Sequence, residues 1–352
     1  MALVAQNKPA AAAELDARVY ALSPGNVAFL RELGVWQALP PNRLAPVHGM
    51  QIYGDGAGGL AFDAYGAGVP ELAWIVEDSV LQHALWDGLD VPIYTAQTKV
   101  LGIEAEQVEL ELSNEARLSA KLVVGADGAT SFVRRQARIA VSESDYAQAA
   151  VVANFACEKP HAHVAYQWFQ RGAVLALLPL PQQRVSMVWS LPTSDAKRIS
   201  ALDAGRLCEE VETAAGGALG ALTLVTAPRS YALRRLSAER LVAPRVALAG
   251  DAGHVIHPLA GQGLNLGLQD ARVLSEVLNG REPRRDPGEL RLLRRYERRR
   301  AEPILAMDTM VDSLFRLFGA EGRLAAQWRN AGLNLTDRMP VVKNILMRQA
   351  MT

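Results

Sequence analysis

Apolar and polar residues alternate most regularly in the middle of the chain, between Val151 and Leu191. Four segments there are strand-like in length and apolar content and are separated by turn residues: VVANFAC, HVAYQWF, AVLALLPL and RVSMVWS. Runs of this length and spacing are typical of strands that follow one another in the chain. The pattern predicts an antiparallel sheet in this region.

The rest of the chain mixes strand-length and helix-length patterns. We predict a strand at Met1–Ala5, a helix at Val27–Trp36, a hairpin at Gly54–Gly68, a helix at Ile75–Leu89, two paired strands at Val100–Leu112, a strand at Leu118–Val124, a helix from Asn265 to Leu278 and helices after Pro287. Long crossovers before and after the central strands indicate two interleaved lobes. The expected fold class is α/β, with a nucleotide-binding lobe, an antiparallel β-rich lobe and C-terminal helices.

Composition narrows the classes of function. The 352 residues include 37 acidic and 37 basic side chains, so no overall field favours nucleic acid as a partner. No apolar run reaches the ~18 residues of a membrane span, and no basic stretch typical of a secretory signal is present. Cys157 and Cys208 share no motif, and the pair His161 and His163 has no further ligand nearby. We therefore expect a cytoplasmic protein without a disulfide framework or a metal site.

The most informative segment runs from Val246 to Asp270 and reads VALAGDAGHVIHPLAGQGLNLGLQD. An apolar strand ends in Gly250-Asp251, where a carboxylate can accept hydrogen bonds from the hydroxyl groups of a sugar or ribityl chain. A glycine-rich turn then leads into a helix whose positive end faces the ligand. Glycine is needed where the backbone itself approaches a planar ligand. The arrangement suits a flavin nucleotide.

These residues carry a family resemblance. HPLAGQGLNLGLQD, from His257 to Asp270, resembles the signature of the flavin-dependent aromatic hydroxylases of ubiquinone biosynthesis, which share the para-hydroxybenzoate hydroxylase fold. GDAGH, which ends at His254, is similar to the G-D-A-A-H of the family, with Gly253 in place of alanine. Two further blocks resemble family segments: LVVGADGATSFVR, which ends at Arg134, and DARVYALS, which ends at Ser23. The likeness extends over almost the whole chain.

The resemblance implies FAD as the cofactor, NAD(P)H as the reductant, molecular oxygen as co-substrate and a phenolic ring as the group that is hydroxylated. By the same likeness Asp251, preceded by Gly250, would bind the ribityl chain, and Arg18 would contact the cofactor. Asp127 and Gly128 would serve the flavin pyrophosphate and the nicotinamide donor. The isoalloxazine ring would be lined by Pro258, Gly261, Gly263 and Asn265, and Gln262 is a further cofactor-binding residue of that turn. Because the flavin carries the chemistry, no side chain is expected to be catalytic.

The family fold also implies how the chain is divided. We expect a discontinuous FAD-binding lobe formed by residues 1–46, 76–140 and 235–285. Residues 47–75 and 141–234 would form the substrate lobe with its β-sheet, and residues 286–352 would form a C-terminal helical segment.

Family members carry a strand, a G-x-G-x-x-G turn and a helix before the stretch that resembles Met1–Gln6, and the sequence does not contain this unit. Its helix supplies a dipole and N–H donors to the pyrophosphate, so we expect FAD to bind weakly without it. Two interpretations stay open: a shortened form of a normal hydroxylase, or a degenerate relative that binds a phenolic or prenylated ligand without catalysis. Another flavin oxidoreductase, such as a dehydrogenase, is a further alternative.

The resemblance implies a polyprenylated ubiquinone precursor as substrate, a molecule with an apolar tail. The segment from Arg281 to Arg300, REPRRDPGELRLLRRYERRR, is rich in arginine. One interpretation is the solvated face of a helix with Leu290, Leu293 and Tyr296 turned inward. The alternative is a patch that meets anionic lipid headgroups or a partner, including other ubiquinone-biosynthesis proteins. On that alternative, the protein would lie in the cytoplasm at the periphery of the inner membrane.

Overall fold

The structure is a computed structural model, and it describes residues 1–9, 15–54, 58–170, 172–257 and 261–319. Its strands are β1 (Leu3–Ala5), β2 (Val19–Leu22), β3 (Leu44–Val47), β4 (Gly49–Tyr53), β5 (Gly59–Asp63), β6 (Ala73–Glu77), β7 (Ile93–Thr95), β8 (Thr98–Ile103), β9 (Val108–Leu112), β10 (Arg117–Ala120), β11 (Val123–Gly125), β12 (Val141–Cys157), β13 (Val164–Gln170), β14 (Ala173–Leu180), β15 (Arg184–Pro192), β16 (Leu222–Leu224), β17 (Arg229–Ala238), β18 (Val242–Ala243), β19 (Val246–Leu248) and β20 (His254–Val255). Its helices are α1 (Pro24–Glu32), α2 (Val35–Ala38), α3 (Ala64–Ala67), α4 (Asp78–Asp87), α5 (Phe132–Gln136), α6 (Thr193–Ser200), α7 (Ala204–Ala214), α8 (Gly263–Asn279) and α9 (Leu290–Gly319). Short 3-10 turns lie at Pro41–Arg43 and Gly250–Ala252.

The described residues fall into two compact units. The first unit contains Met1–Pro9, Trp86–Tyr146 and Arg234–Val311. The second unit contains the described parts of 10–85 and 147–233, together with residues 312–319. The division differs from the lobes expected from the sequence, because residues 15–46 and 76–85 lie in the second unit. Strand pairing explains this, since β2 and β3 both pair with β6.

In the first unit, β11 and β19 pair in parallel, and β18 pairs antiparallel with β19. Strand β19 is buried on both faces. Val246 and Leu248 pack in one apolar cluster with residues of β9, whereas Ala247 packs in a second cluster with residues of α8 and α9. Such burial is typical of a parallel strand covered by other elements. The remaining pairs of this unit are β1 with β7, β8 with β9, β9 with β10, and β17 with β20.

Helix α9 is anchored to β19 by a buried tyrosine. The Tyr296 hydroxyl donates to the carbonyl oxygen of Leu248 at 2.6 Å. Burial raises the pKa of Tyr296, so the phenol remains a donor. Leu293 is also fully buried and Leu290 is partly buried, which confirms the inward face predicted for this segment. Arg291, Arg294 and Arg298 of α9 are exposed on another part of the helix surface, whereas Arg300 is buried.

In the second unit, a sheet follows the order β12–β15–β14–β13–β4–β5, and β16 also pairs with β12. The neighbours in this order are antiparallel except for β13 and β4, which are parallel. The antiparallel sheet predicted between Val151 and Leu191 is therefore confirmed. Helices α6 and α7 pack against one face, where Ile199 and Val211 meet Phe155 and Met187 in a single apolar core. A separate antiparallel sheet has the order β2–β6–β3.

Two predicted elements are wrong in their extent. The helix predicted at Ile75–Leu89 begins only at Asp78, because the preceding residues form β6 between two partner strands. Ile75 and Val76 are fully buried there, and β-branched side chains pack well on a pleated surface. The strand predicted at Leu118–Val124 is divided between β10 and β11, which belong to different sheets.

Among the other predicted elements, the N-terminal strand is confirmed as β1 and the helix after Ser23 as α1 followed by α2. The hairpin predicted at Gly54–Gly68 is displaced: β5 lies within that range, but its partner β4 precedes Gly54, and α3 follows β5. The alternating segment from Val100 forms β8 and β9, and the late helix is α8. Within the described residues, no helix combines the length and apolar character that crossing a membrane would require.

Candidate functional site

Two loops begin side by side at one edge of the first unit. β11 and β19 are paired in parallel with Gly125 opposite Leu248, and the Ala249 N–H donates to the Gly125 carbonyl oxygen at 2.9 Å. The loop after β11 contains Asp127 and Gly128, and the turn after β19 contains Gly250 and Asp251. The carboxyl ends of neighbouring parallel strands are where α/β folds bind ligands. Two of the sequence blocks therefore meet at such an edge.

Asp127 holds the first loop to the helix that follows it. Its carboxylate accepts hydrogen bonds from the Ser131 hydroxyl, from the Phe132 N–H at 2.6 Å and from the Val133 N–H at 3.1 Å. The two N–H groups are backbone donors of the first turn of α5, and the helix dipole favours an acidic side chain there. The geometry thus gives Asp127 a capping role that the sequence reasoning did not assign.

The close packing of this loop depends on a glycine. A Cβ built on Gly125 would lie 2.9 Å from Val133 Cβ and 3.0 Å from Leu248 Cδ2, which is closer than side chains tolerate. Gly128, by contrast, has φ of +80°, and a Cβ there would meet no described atom within 4 Å. Gly125 therefore allows α5 to pack closely against the loop, whereas Gly128 leaves the loop backbone uncovered by the described residues.

Arg134 connects the two loops. One terminal nitrogen donates to the Ala252 carbonyl oxygen at 2.7 Å and the other donates to the Ala129 carbonyl oxygen at 2.8 Å. The residue is only 4% exposed, and burial lowers the pKa of its guanidinium. A planar guanidinium can serve both carbonyl groups at once. Sequence reasoning quoted Arg134 within a motif but missed this connection, because its partner Ala252 is 118 residues away.

The Gly250–Asp251 turn packs directly against α8. Gly250 has φ of +60°, and a Cβ built on Gly267 would lie 3.3 Å from Gly250 Cα. The two glycines let the helix and the turn approach at backbone distance. Asp251 follows within the 3-10 turn and is exposed. Asp251 thus puts an exposed carboxylate at this edge of the unit.

Beneath the turn lies a buried polar cluster of Asp270, His254 and Arg300, which we call the buried triad. One Asp270 oxygen accepts the Gly250 N–H at 2.8 Å and lies 2.6 Å from His254 Nε2. The other accepts Arg300 Nε at 2.6 Å. The three side chains are 0%, 4% and 2% exposed, respectively. The sequence reasoning quoted all three residues and assigned none of them a site role.

The start of α8 has the features of a ligand-binding turn. Gly261 has φ of +62°, and a Cβ on Gly263 would meet no described atom within 4 Å. Gln262, which precedes the first residue of α8, makes no side-chain cap to the helix within the described residues, and its Oε1 accepts from Asn265 Nδ2 at 3.1 Å instead. Asn265 is 1% exposed. Pro258 lies outside the described residues.

Arg18 lies in the second unit, apart in the chain division from the residues above. Its guanidinium is 3.7 Å from an Asp78 carboxylate oxygen and lies 5.2 Å and 5.6 Å from the ring centres of Tyr20 and Tyr231. The segment before it is held by Glu77, whose buried carboxylate accepts the Asp16 N–H at 2.7 Å. Arg18 thus lies directly before β2, in a segment whose backbone is held by a hydrogen bond to Glu77.

Glu77 is itself fixed by Arg43. The Arg43 guanidinium donates Nε and one terminal nitrogen to the two Glu77 oxygens at 2.5 and 2.6 Å. This bidentate bond is the main cause that raises the pKa of Arg43. Asn154 adds a further bond, since its Nδ2 donates to the Asp16 carbonyl oxygen at 2.8 Å. Sequence reasoning missed these supports, because three separate segments contribute them.

The hydrogen bonds of His161 and His163, which lie just before β13, explain this histidine pair structurally. His161 Nε2 lies 2.9 Å from the Leu180 carbonyl oxygen, and His161 Nδ1 accepts the His163 N–H at 3.1 Å. Both ring nitrogens of His161 are therefore engaged in hydrogen bonds to the backbone. Burial lowers the pKa of His161, which favours the neutral ring that this arrangement uses.

The residues of the first unit fit a flavin nucleotide. A Cβ built on Gly128 or Gly263 would meet no atom of the described residues within 4 Å, so at these glycines the described part of the chain leaves the backbone accessible to a ligand. The long helix α8 begins at Gly263, and the positive end and first N–H groups of a helix favour an anionic group such as a phosphate. Asp251 supplies an exposed acceptor for hydroxyl groups. Together with the α/β fold, these features define a protein of the nucleotide-binding flavoprotein class.

The comparisons with known proteins agree with this class. Residues 74–309 match the family model described as FAD binding domain. The chain is 33% identical over 342 residues to the 3-demethoxyubiquinol 3-hydroxylase of Escherichia coli, with 96% of this chain and 87% of the relative covered. It is 33% identical over 346 residues to the ubiquinone hydroxylase UbiL of Rhodospirillum rubrum, with 97% and 80% covered. The chain belongs to the FAD-dependent aromatic hydroxylase family, and the resemblance found in the sequence is confirmed.

A solved structure supports the fold. The crystal structure of Klebsiella pneumoniae HpxO, complexed with FAD and uric acid, superposes with a TM-score of 0.74 at 16% identity. It covers 99% of this chain and 96% of the HpxO chain. The α/β fold class predicted from the sequence is therefore confirmed, as are FAD as the cofactor and an enzyme of the FAD-dependent monooxygenase kind.

Proposed function

We propose that this protein hydroxylates the ring of a polyprenylated ubiquinone precursor, with NAD(P)H as reductant and molecular oxygen as co-substrate. The overall reaction is balanced when substrate, O2, NAD(P)H and one proton give the hydroxylated product, water and NAD(P)+. One oxygen atom enters a ring C–H bond and the other leaves as water. The observation that supports this proposal best is the pair of loops after β11 and β19, joined by Arg134, in a chain 33% identical to a 3-demethoxyubiquinol hydroxylase.

The roles of the cofactor-binding residues are part of the proposal. Asp251 would accept hydrogen bonds from the ribityl hydroxyl groups, with Gly250 giving the turn its conformation. Gly261, Gln262, Gly263 and Asn265, with Pro258, would line the isoalloxazine ring. Asp127 and Gly128 would lie near the pyrophosphate and help to position the reductant, and Arg18 would contact the flavin. Asp127 would act chiefly through the loop that it holds in place.

FAD, when bound, supplies the redox chemistry that joins the reductant, oxygen and the ring. The chain supplies binding and orientation, and it excludes water from the reacting groups. The first unit would then be the FAD-binding lobe, and the second unit, with its antiparallel sheet, would be the substrate lobe. We assign no acid or base among the described residues.

The enzyme is proposed to act at the surface of a membrane. Arg291, Arg294 and Arg298 recur along α9 at helical spacing, and all three are exposed. None of them forms an ion pair within the described part of the chain, whereas Arg295 and Arg299 pair with Glu282 and Glu276. Free arginines on one helix stripe are attracted by anionic headgroups. Such contact would bring the enzyme to a substrate whose prenyl tail lies in the bilayer.

The test uses purified protein, FAD and a short-tailed prenylated phenol of the ubiquinone-precursor class. FAD binding is followed by quenching of flavin fluorescence, and turnover is followed by NAD(P)H oxidation and by mass spectrometry with isotopically labelled O2. We expect flavin binding, substrate-stimulated NAD(P)H oxidation and a product that carries one labelled oxygen atom. Flavin binding without an oxygenated product would instead indicate another flavin oxidoreductase. A protein that binds the phenol but no flavin would support the non-catalytic interpretation.

A further inference from the structure

We infer that Asp270 is a positioning residue for the flavin site, and that Arg300 and His254 hold its carboxylate in place. The inference rests on the proposed FAD-binding role of the Gly250–Asp251 turn. It concerns a group that lies beneath the turn rather than one that faces the ligand. The role rests on three contacts within the first unit: Gly250 with Asp270, α8 with the Gly250–Asp251 turn, and Arg300 with Asp270.

The first contact is the bond from the Gly250 N–H to Asp270 Oδ2, at 2.8 Å. It fixes the peptide plane that precedes Gly250. Gly250 has φ of +60°, a conformation that side-chain-bearing residues rarely adopt. Because that plane and this dihedral angle set the direction in which the backbone leaves β19, they also set where Asp251 begins. By holding Gly250, the Asp270 carboxylate thus orients Asp251, the next residue, which is proposed to bind the flavin.

The second contact is the approach of α8 to the turn. Asp270 lies on α8 about one helical turn after Gly267. A Cβ built on Gly267 would lie only 3.3 Å from Gly250 Cα, so the absence of a side chain at Gly267 permits the close approach. Only at this short distance can a side chain as short as aspartate reach the Gly250 N–H. The glycine pair and the carboxylate therefore work as one arrangement.

The third contact is the bond from Arg300 to the second oxygen of Asp270, at 2.6 Å. Arg300 also donates to the Leu266 carbonyl oxygen at 3.3 Å and to Gln269 Oε1 at 3.1 Å. His254 Nε2 lies 2.6 Å from the same oxygen that Gly250 uses. With both oxygens occupied, the carboxylate cannot rotate without breaking at least one bond.

Stability alone does not explain such a cluster. Burying a carboxylate and a guanidinium has a large desolvation cost, and apolar side chains of similar size often replace such groups without loss of stability. What apolar residues cannot do is accept the Gly250 N–H and fix its direction. The buried triad is therefore better explained by the geometry that it imposes on the flavin turn.

The test compares FAD binding by the wild-type protein and by Asp270→Asn, Arg300→Gln and Arg245→Gln. Arg245 is the matched control: it is 6% exposed and pairs with Asp286 at 2.6 Å, but it lies at the other end of β19. We expect Asp270→Asn and Arg300→Gln to weaken FAD binding at least tenfold and to alter the absorption spectrum of the bound flavin. Arg245→Gln should lower the melting temperature and leave the FAD dissociation constant within about twofold of wild type.

Histidine variants keep the inference falsifiable if Asp270→Asn does not fold. His254→Gln retains an N–H donor toward Asp270, whereas His254→Phe does not. We expect His254→Gln to bind FAD within about threefold of wild type and His254→Phe to bind at least tenfold more weakly. If Asp270→Asn, or both histidine variants, bind FAD with the wild-type constant and spectrum, the positioning role is wrong. Failure of the wild-type protein to bind FAD would instead contradict the proposed function.

Discussion

At the scale of single residues, the site depends on where a side chain is absent as much as on where one is present. Gly125 is confined by Val133 and Leu248, whereas Gly263 opens onto space free of described atoms within 4 Å. The two glycines occur in similar glycine-rich sequence, so only the surroundings tell a packing glycine from a ligand-facing one. Substitution by alanine is therefore expected to disturb packing at Gly125 and ligand binding at Gly263.

Gly263→Ala should weaken FAD binding without loss of stability. The added methyl group meets no described atom within 4 Å, and alanine is a better helix former than glycine by about 1 kcal/mol. It would, however, occupy the space in which the flavin is proposed to approach the backbone. Fluorescence titration with FAD and thermal melting of the ligand-free protein check the two parts. Gly205→Ala, in the first turn of α7, is the control and should change neither quantity much. An unchanged FAD affinity in Gly263→Ala would contradict the proposed approach.

His257 should make the stability of the protein depend on pH. Burial lowers the pKa of His257 from 6.5 to about 4. Between these values the unfolded chain binds a proton that the folded protein does not, so stability is retained above about pH 6.5 and falls as the pH is lowered toward 4. The loss approaches about 3 kcal/mol, at 1.36 kcal/mol for each pKa unit.

Urea unfolding at pH 7 and pH 4.5 measures this effect. His257→Phe should remove most of the difference between the two pH values while keeping an aromatic ring beside Tyr146, whose ring centre is 4.7 Å away. His48→Gln, which changes an exposed histidine, should keep the wild-type difference. Equal pH dependence in wild type and His257→Phe would show that other groups are responsible.

At the scale of elements, the site is made by two strand–loop–helix units that are fastened to each other. β11 leads through the Asp127 loop to α5, and β19 leads through the Gly250 turn to α8. Arg134 on α5 reaches the second turn, and Tyr296 on α9 reaches the end of β19. Both are hydrogen bonds between a buried side chain and a backbone carbonyl group, so each fixes one element relative to another.

Arg134→Lys should separate the two loops even though the charge is kept. A lysine ammonium is a single point and cannot donate to the Ala252 and Ala129 carbonyl groups as the two guanidinium nitrogens do. A carbonyl group that is left buried and unpaired costs about 1–3 kcal/mol. We expect a lower melting temperature and weaker FAD binding. Arg135→Lys, the exposed neighbour on the same helix, should resemble the wild type in both measurements. Equal behaviour of the two variants would show that Arg134 does not fasten the loops.

At the scale of the whole molecule, charge is balanced in number but not in position. Acidic and basic residues are equal at 37 each, yet the exposed stripe of Arg291, Arg294 and Arg298 has no acidic partner within the described residues. A balanced total keeps long-range attraction small, so contact with anionic lipid would be local and sensitive to salt. We therefore expect the first unit to contact anionic lipid through this arginine stripe.

Arg294→Gln with Arg298→Gln should weaken binding to vesicles that contain anionic lipid. About 1 kcal/mol per arginine near the surface gives about 2 kcal/mol for the pair, or roughly thirtyfold in affinity. Sedimentation with anionic and with zwitterionic vesicles measures the difference. The control is Arg295→Gln with Arg299→Gln, which removes the same charge from residues that are already paired with Glu282 and Glu276. Equal loss in both double variants would mean that only net charge matters.

The sequence by itself determined the parts of the molecule that depend on neighbours in the chain. The alternating segments became the sheet of the second unit, and the Gly-Asp turn before a helix became the turn between β19 and α8. These follow from side-chain period, glycine conformation and helix starts, which are local properties. The family resemblance was readable for the same reason, since it is carried by short contiguous motifs.

The tertiary structure alone decided which residues support the site. Arg299 and Arg300 are adjacent and chemically identical, yet one pairs with exposed Glu276 and the other with buried Asp270. Likewise Ile75 and Val76 lie in a strand, against their predicted helix, because two partner strands flank them. Such choices depend on groups brought together from distant parts of the chain. Their free energy comes from burial and from partners in space, which local sequence does not encode.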